Sequence, residues 1–156
     1  MSFRKTLLMG GFFVLFIGSA IYILWRPTSL LMFEWFNFLG LRSFVDCLRD
    51  IAAPVKHLLP SFVIYSLPWG LWLLSYLLFV EYVWFNKVKT RQYHFWFWIF
   101  PFLSVLTEIL QKTSFVPGTF CFEDIVALIL SILLGYAVSI YNNKKTFNQR
   151  RVPYDT

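Results

Sequence analysis

The chain has 156 residues, 58% of them hydrophobic and only 14% charged, with a formal net charge of +6. Soluble domains sit nearer half apolar and a quarter charged, and a soluble core of this length could not hide so much Phe, Trp and Leu. The bilayer is therefore the expected solvent. The segments show no internal repeat and no Ser/Gly-rich linker divides them, so one domain is expected over residues 1–156.

A helix needs about 20 mainly apolar residues to cross the hydrocarbon layer. Stretches at about 7–25, 61–85, 94–111 and 124–141 meet that need. The prediction is an all-α integral membrane protein with four transmembrane helices. The first stretch has a basic start and a Gly18-Ser19-Ala20 run that loosely fits a signal-peptide cleavage pattern. Its apolar run continues to Trp25, long enough to span, so retention is expected.

Residues 26–59 follow as a long connection. Within it Leu41, Phe44, Val45, Leu48, Ile51, Ala52 and Val55 recur at helical spacing, with Arg42, Asp46, Arg49, Asp50 and Lys56 on the other face. That pattern predicts an amphipathic helix in the membrane interface. Asp46 is spaced to pair with Arg42 and Arg49, and Pro54 and Pro60 punctuate the descent into the second span. Such a helix could cover the bundle's mouth or take part in a ligand site.

The second span contains Pro68 and Gly70, and a kink is expected there because Pro removes a backbone donor. It is rich in Trp and Tyr, from Tyr65 and Trp69 to Tyr82 and Trp84. Those at its ends fit an aromatic belt. Glu81, near its end, is spaced to pair with the Lys87–Arg91 cluster, a structural role.

Charge sets the orientation. Arg4, Lys5, Lys87, Lys89, Arg91, Lys144, Lys145, Arg150 and Arg151 fall on one side of a four-span topology. The other side dilutes Arg26, Arg42, Arg49, Lys56 and Lys112 with Glu34, Asp46, Asp50, Glu108, Glu123 and Asp124. Cytoplasmic loops collect Lys and Arg, so both termini and the 86–92 connection are expected in the cytoplasm. The basic tail then faces anionic headgroups, and nucleic acid is not expected as a partner. Cys47 and Cys121 both fall on the outer side, where a disulfide and two free thiols are both admissible. His57 and His94 belong to opposite faces and cannot share a metal; no metal or cofactor is expected.

Ionisable groups inside a membrane are costly and tend to be functional. Glu108 lies about one turn before the outer end of the third span, with Gln111 on the same face. After the turn Val116-Pro117-Gly118-Thr119, the fourth span opens with Glu123 and Asp124. A short connection makes the two spans antiparallel neighbours, so Glu108, Gln111, Thr119 and Asp124 are the expected ligand-binding neighbourhood. Two carboxylates there would share a proton or draw in a cation or a cationic headgroup. For Glu123 ordinary stabilisation of a helix N-terminus is the expected role; for Asp124 that role and a functional one stand side by side. No nucleophile stands beside a base in the local sequence, so no enzymatic activity is expected.

Glu108-x-x-Gln111, Pro117-Gly118-Thr119-Phe120, Asp124-Ile125 and Gly135 together resemble the VanZ-like membrane protein family, with a fainter echo in Tyr65-Ser66-Leu67-Pro68-Trp69-Gly70. Many members carry Arg in the turn where this chain has Thr119 or Phe120, and Asn where it has Leu128. The polar network here would be thinner. The family's namesake is associated with low-level resistance to the glycopeptide teicoplanin. The resemblance implies a bacterial plasma-membrane protein with an envelope-facing site for a lipid headgroup or a lipid-linked cell-wall precursor. A small secondary transporter or transporter subunit with Glu108 as a proton or cation site, and a non-catalytic partner in a larger membrane complex or homo-oligomer, stay open beside it.

Overall fold

The computed structural model describes residues 3–113, 115–116 and 118–151, with side-chain surroundings as far as residue 144. Pro117 and the side chains of Lys145, Arg150 and Arg151 lie outside the described residues. The described residues form helices and turns, with no strand among them: α1 (Phe3–Trp25), α2 (Leu31–Phe38), α3 (Arg42–Ala52), a 3-10 turn (Ala53–Leu58), α4 (Ser61–Tyr65), α5 (Leu67–Val83), α6 (Arg91–Lys112) and α7 (Phe122–Arg151).

Three helices are long and apolar enough to cross a membrane: α1, α6 and the Phe122–Lys144 part of α7. Their outward faces carry large apolar side chains in the open, among them Phe13, Phe16, Phe102 and Leu133. Such a surface fits a lipid solvent and not water. The expected second span differs. It is divided at Ser66 into the short α4 and the 17-residue α5. Pro68, fully buried at the start of α5, has no N–H to continue the ladder. The break therefore falls at the near edge of the Pro68–Gly70 segment where a kink was expected. A second proline, Pro101, sits buried inside α6, a position the sequence reading did not single out.

The connection after α1 forms two helices where one was expected. Gly40, at φ 71°, ends α2 in a left-handed turn, and the Leu41 N–H reaches back to the Phe36 carbonyl at 2.8 Å. α3 then docks on the end of α1. Arg49 donates to the Ile23 and Arg26 carbonyls, the latter at 2.9 Å, and Trp25 Nε1 donates to the Ala52 carbonyl at 3.0 Å. A cation thus satisfies carbonyls that the last turn of α1 leaves without helical partners. Phe33 of α2 is fully buried beneath the guanidinium groups of Arg42 and Arg49. Of the apolar residues expected on one face of α3, Val45 is buried, while Phe44 and Ile51 remain exposed.

α5 is the centre of the bundle, with α1 and α7 packed most heavily against it and α6 held more lightly. Small residues allow the close contacts. A Cβ on Gly70 would stand 2.9 Å from the Ala127 carbonyl oxygen, and one on Gly135 would meet Leu77 Cδ1 at 2.5 Å. Ser131 Oγ donates to the Gly70 carbonyl at 2.7 Å, and Ser75 Oγ to the Gly11 carbonyl at 2.9 Å. Small and hydroxyl residues at helix interfaces are how membrane bundles gain packing and hydrogen bonds together.

Ring contacts of Phe3 with Phe85 and with Tyr141 gather the start of α1, the end of α5 and the late part of α7 at one end of the bundle. Glu81 is fully buried there. It accepts from Lys89 Nζ at 3.1 Å, from Asn142 Nδ2 at 2.9 Å and from the Tyr93 hydroxyl. Lys89 also donates to the Ser139 carbonyl at 3.0 Å. Burial pulls the Lys89 ammonium below the usual lysine range, while the Glu81 charge opposes that pull. Lys89→Met would leave Glu81 buried without its cation, at a cost of about 3 kcal/mol or more. The exposed Arg42–Asp46 pair should be worth under about 1 kcal/mol. Thermal unfolding in detergent should therefore show a large loss for Lys89→Met and almost none for Arg42→Met.

Candidate functional site

At the end of the bundle opposite Glu81, the last turns of α1 and α6 and the first turns of α4, α5 and α7 surround a cavity of about 590 Å³. Each wall has a local cause. The long α6 carries Glu108 and Gln111 on one face to its closing turn. The turn that follows is shaped by Gly118, whose φ of 146° favours glycine. A Cβ at that position would lie 2.7 Å from the Gln111 amide, so the bare backbone is what lets Gln111 pack against the turn. Tyr65, the last residue of α4 before the break at Ser66, and Trp69 and Trp72 of α5 line another wall.

All of Glu108, Gln111, Thr119 and Asp124 line this cavity, as does Glu123. Glu108 is only 3% exposed. The backbone N–H of Cys121 faces it from the turn, and Asp124 stands close enough for the two carboxylates to feel each other's charge. Glu108 Oε2 and Asp124 Oδ1 are nonetheless buried without a hydrogen-bond partner. Buried polar groups are nearly always paired, and an unmade hydrogen bond costs roughly 1–3 kcal/mol, more when the group is charged. Two such carboxylate oxygens, one from α6 and one from α7, belong to residues that line the same cavity.

The sequence reading did not include Arg26, Tyr22, Tyr65, Trp69 and Trp72 in the site. Arg26 follows the last residue of α1, where a basic residue after a span ordinarily reads as an interfacial anchor. Here its guanidinium lies over the rings of Tyr22 and Tyr65, 5.2 and 5.1 Å from their centroids. Its Nε is buried without a hydrogen-bond partner. Among the described residues the ion pairs are Arg42–Asp46 and Lys89–Glu81, so Arg26 is not neutralised by the carboxylates across the cavity. The turn lacks an arginine, and the long-range fold supplies one from more than eighty positions away.

The chamber therefore holds both signs of charge, unsatisfied, within an aromatic wall. Ser61, Thr119 and Cys121 line it beside the carboxylates, and no histidine does among the described residues. Among the described residues no three His, Cys, Asp or Glu side chains are grouped to hold a metal ion. Cys47 is exposed on α3 and Cys121 half-buried beside the chamber. Both are free thiols, so the pairing left open by the sequence is not formed in this structure.

A neutral isostere at position 108 removes a buried charge without changing shape. Glu108→Gln should accordingly keep or raise the unfolding temperature of the ligand-free protein at neutral pH, as substitutions at binding groups often do. A clear fall in that temperature would identify Glu108 as a structural residue instead.

No family model, curated protein or solved structure matches the chain.

Proposed function

We propose that the chain is a VanZ-like multi-pass protein of a bacterial plasma membrane. Its chamber faces the outer side and engages the polar head of an envelope lipid or of a lipid-linked cell-wall precursor. The observation that carries this reading is the set of buried polar atoms without partners around one cavity: Arg26 Nε, Glu108 Oε2 and Asp124 Oδ1. Buried polar atoms call for partners, and the polar head of a lipid at the outer mouth of the bundle brings them.

The four-span reading draws on α4 and α5 taken together. From Ser61 to Val83 they cover roughly 34 Å at 1.5 Å per residue, enough for a hydrocarbon layer of roughly 30 Å. α2 and α3, with Trp35, Phe38, Phe44 and Ile51 exposed, suit the interface above the bundle. The clustering of Lys and Arg at the start of α1, in the 86–92 connection and along the late part of α7 supports a cytoplasmic position for that end. The motif from Glu108 to Asp124 is what ties the chamber to the VanZ-like family and to the cell envelope.

Orientation is tested with a membrane-impermeant maleimide on intact spheroplasts. Cys47 should label without permeabilisation; labelling that appears only afterwards would reverse the topology. The binding role is tested by identifying lipids that co-purify in mild detergent by mass spectrometry. Glu108→Gln with Asp124→Asn should retain about tenfold less of the lipid held by the wild type, the loss expected for charged hydrogen bonds. Equal retention would leave the chamber without a binding role.

A further inference from the structure

We infer that the chamber and the cleft between α5 and α6 together hold one aminophospholipid. Its primary ammonium would sit at Glu108 and Asp124, its phosphate at Arg26, and an acyl chain would run down the cleft. This rests on the headgroup reading above and names the class of head and the path of the chain.

Charge selects the head. A purely anionic head would satisfy Arg26 and leave the two carboxylates facing each other, with Glu108 Oε2 and Asp124 Oδ1 still lacking donors. A purely cationic head would do the reverse and leave Arg26 uncompensated. A zwitterion with ammonium and phosphate a few bonds apart meets both walls of one cavity.

Hydrogen bonding selects the amine. The orphaned oxygens need N–H donors, and a primary ammonium brings three, whereas a trimethylammonium brings none. A trimethylammonium would instead want open aromatic faces. Those faces are partly in use: Arg26 covers Tyr22 and Tyr65, Tyr22 packs on Trp72 at 5.0 Å, and Trp69 meets Trp72 edge-on at 6.3 Å.

The chain path starts in a cavity that adjoins the chamber. Trp69 and Trp72 belong to the chamber and also to an apolar cavity of about 300 Å³ that continues between α5 and α6 past Leu73, Phe100 and Leu103. Tyr76 closes the far end of that cavity: its hydroxyl donates to the Trp96 carbonyl and its ring packs on Phe100 at 4.5 Å. From Trp69 to Tyr76 the cleft follows α5 for roughly 10 Å, room for the upper part of an acyl chain. The light packing of α6 on α5 leaves this cleft open, in contrast with the tight α5–α7 contact.

The test uses the full chain in detergent, with binding followed by native mass spectrometry and Trp fluorescence. The probes are dihexanoyl phosphatidylethanolamine, the matching phosphatidylcholine and phosphatidylglycerol, and free phosphoethanolamine. Phosphatidylethanolamine should bind about tenfold or more tightly than either other lipid, as the loss of a charged hydrogen bond implies. Glu108→Gln should reduce it to the phosphatidylcholine level. Arg26→Gln should weaken phosphatidylethanolamine and phosphatidylglycerol alike, and Arg26→Lys should restore part of both, which separates loss of charge from misfolding. Leu103→Trp, which fills the cleft, should weaken the lipid and leave free phosphoethanolamine unchanged. Phosphatidylcholine binding as well as phosphatidylethanolamine would overturn the ammonium assignment. Preferred phosphatidylglycerol would overturn the role of the carboxylates, and free phosphoethanolamine matching the lipid would overturn the cleft. Failure of every probe, with no response to Arg26 or Glu108 variants, would instead remove the headgroup reading itself.

Discussion

The close approach of α5 and α7 governs the rest of the molecule, because lipid supplies no hydrophobic force to hold one helix against another. At Gly70 the α5 backbone lies so near α7 that an added Cβ would stand 2.9 Å from the Ala127 carbonyl, and at Gly135 the Leu77 side chain takes the space a Cβ would occupy. Ser131 bridges the same crossing by donating to the Gly70 carbonyl at 2.7 Å. With α5 pinned to α7 on one side and to α1 through Ser75 and Gly11 on the other, α6 is left as the lightly held member. The cleft along α5 and the chamber above it are consequences of that uneven packing.

The two ends of the bundle handle buried charge in opposite ways. At one end Glu81 is surrounded by Lys89, Tyr93 and Asn142, and its carboxylate has donors on both oxygens. At the other end Glu108 and Asp124 face a cavity with oxygens that nothing in the protein satisfies, and Arg26 lies apart from them. A buried polar network stabilises when it is complete and costs free energy when it is not. The first network is complete within the protein and the second is not.

Much of the local architecture was legible in the residues. The apolar runs that became α1, α6 and α7 stand out because lipid demands long uninterrupted hydrophobic helices. The gathering of Glu108, Gln111, Thr119 and Asp124 followed from a short turn between two long helices, which must then run side by side. Pro68 marked a disturbance in the second span, although the break falls at Ser66. The division of the connection after α1 into α2 and α3 was missed because a strong amphipathic pattern at 41–55 drew attention from the shorter apolar helix before it. Its own signal was Gly40, a glycine at a helix C-terminus.

Taken by itself, the sequence determined the solvent, the helical class and the carboxylate side of the chamber, since each depends on composition or on neighbours within a turn and two helix ends. Tertiary structure decided the rest of the site. Arg26 reaches the chamber because α1 packs along α5 and ends beside Tyr65, while Trp69 and Trp72 come to it from α5. Glu81 and Glu108 look alike as isolated acids in apolar helices; which one is satisfied depends on donors brought from distant helices. Hydrogen bonding is short-ranged while the chain separations are long, so the distinction between a closed network and an open site exists only once the bundle is assembled.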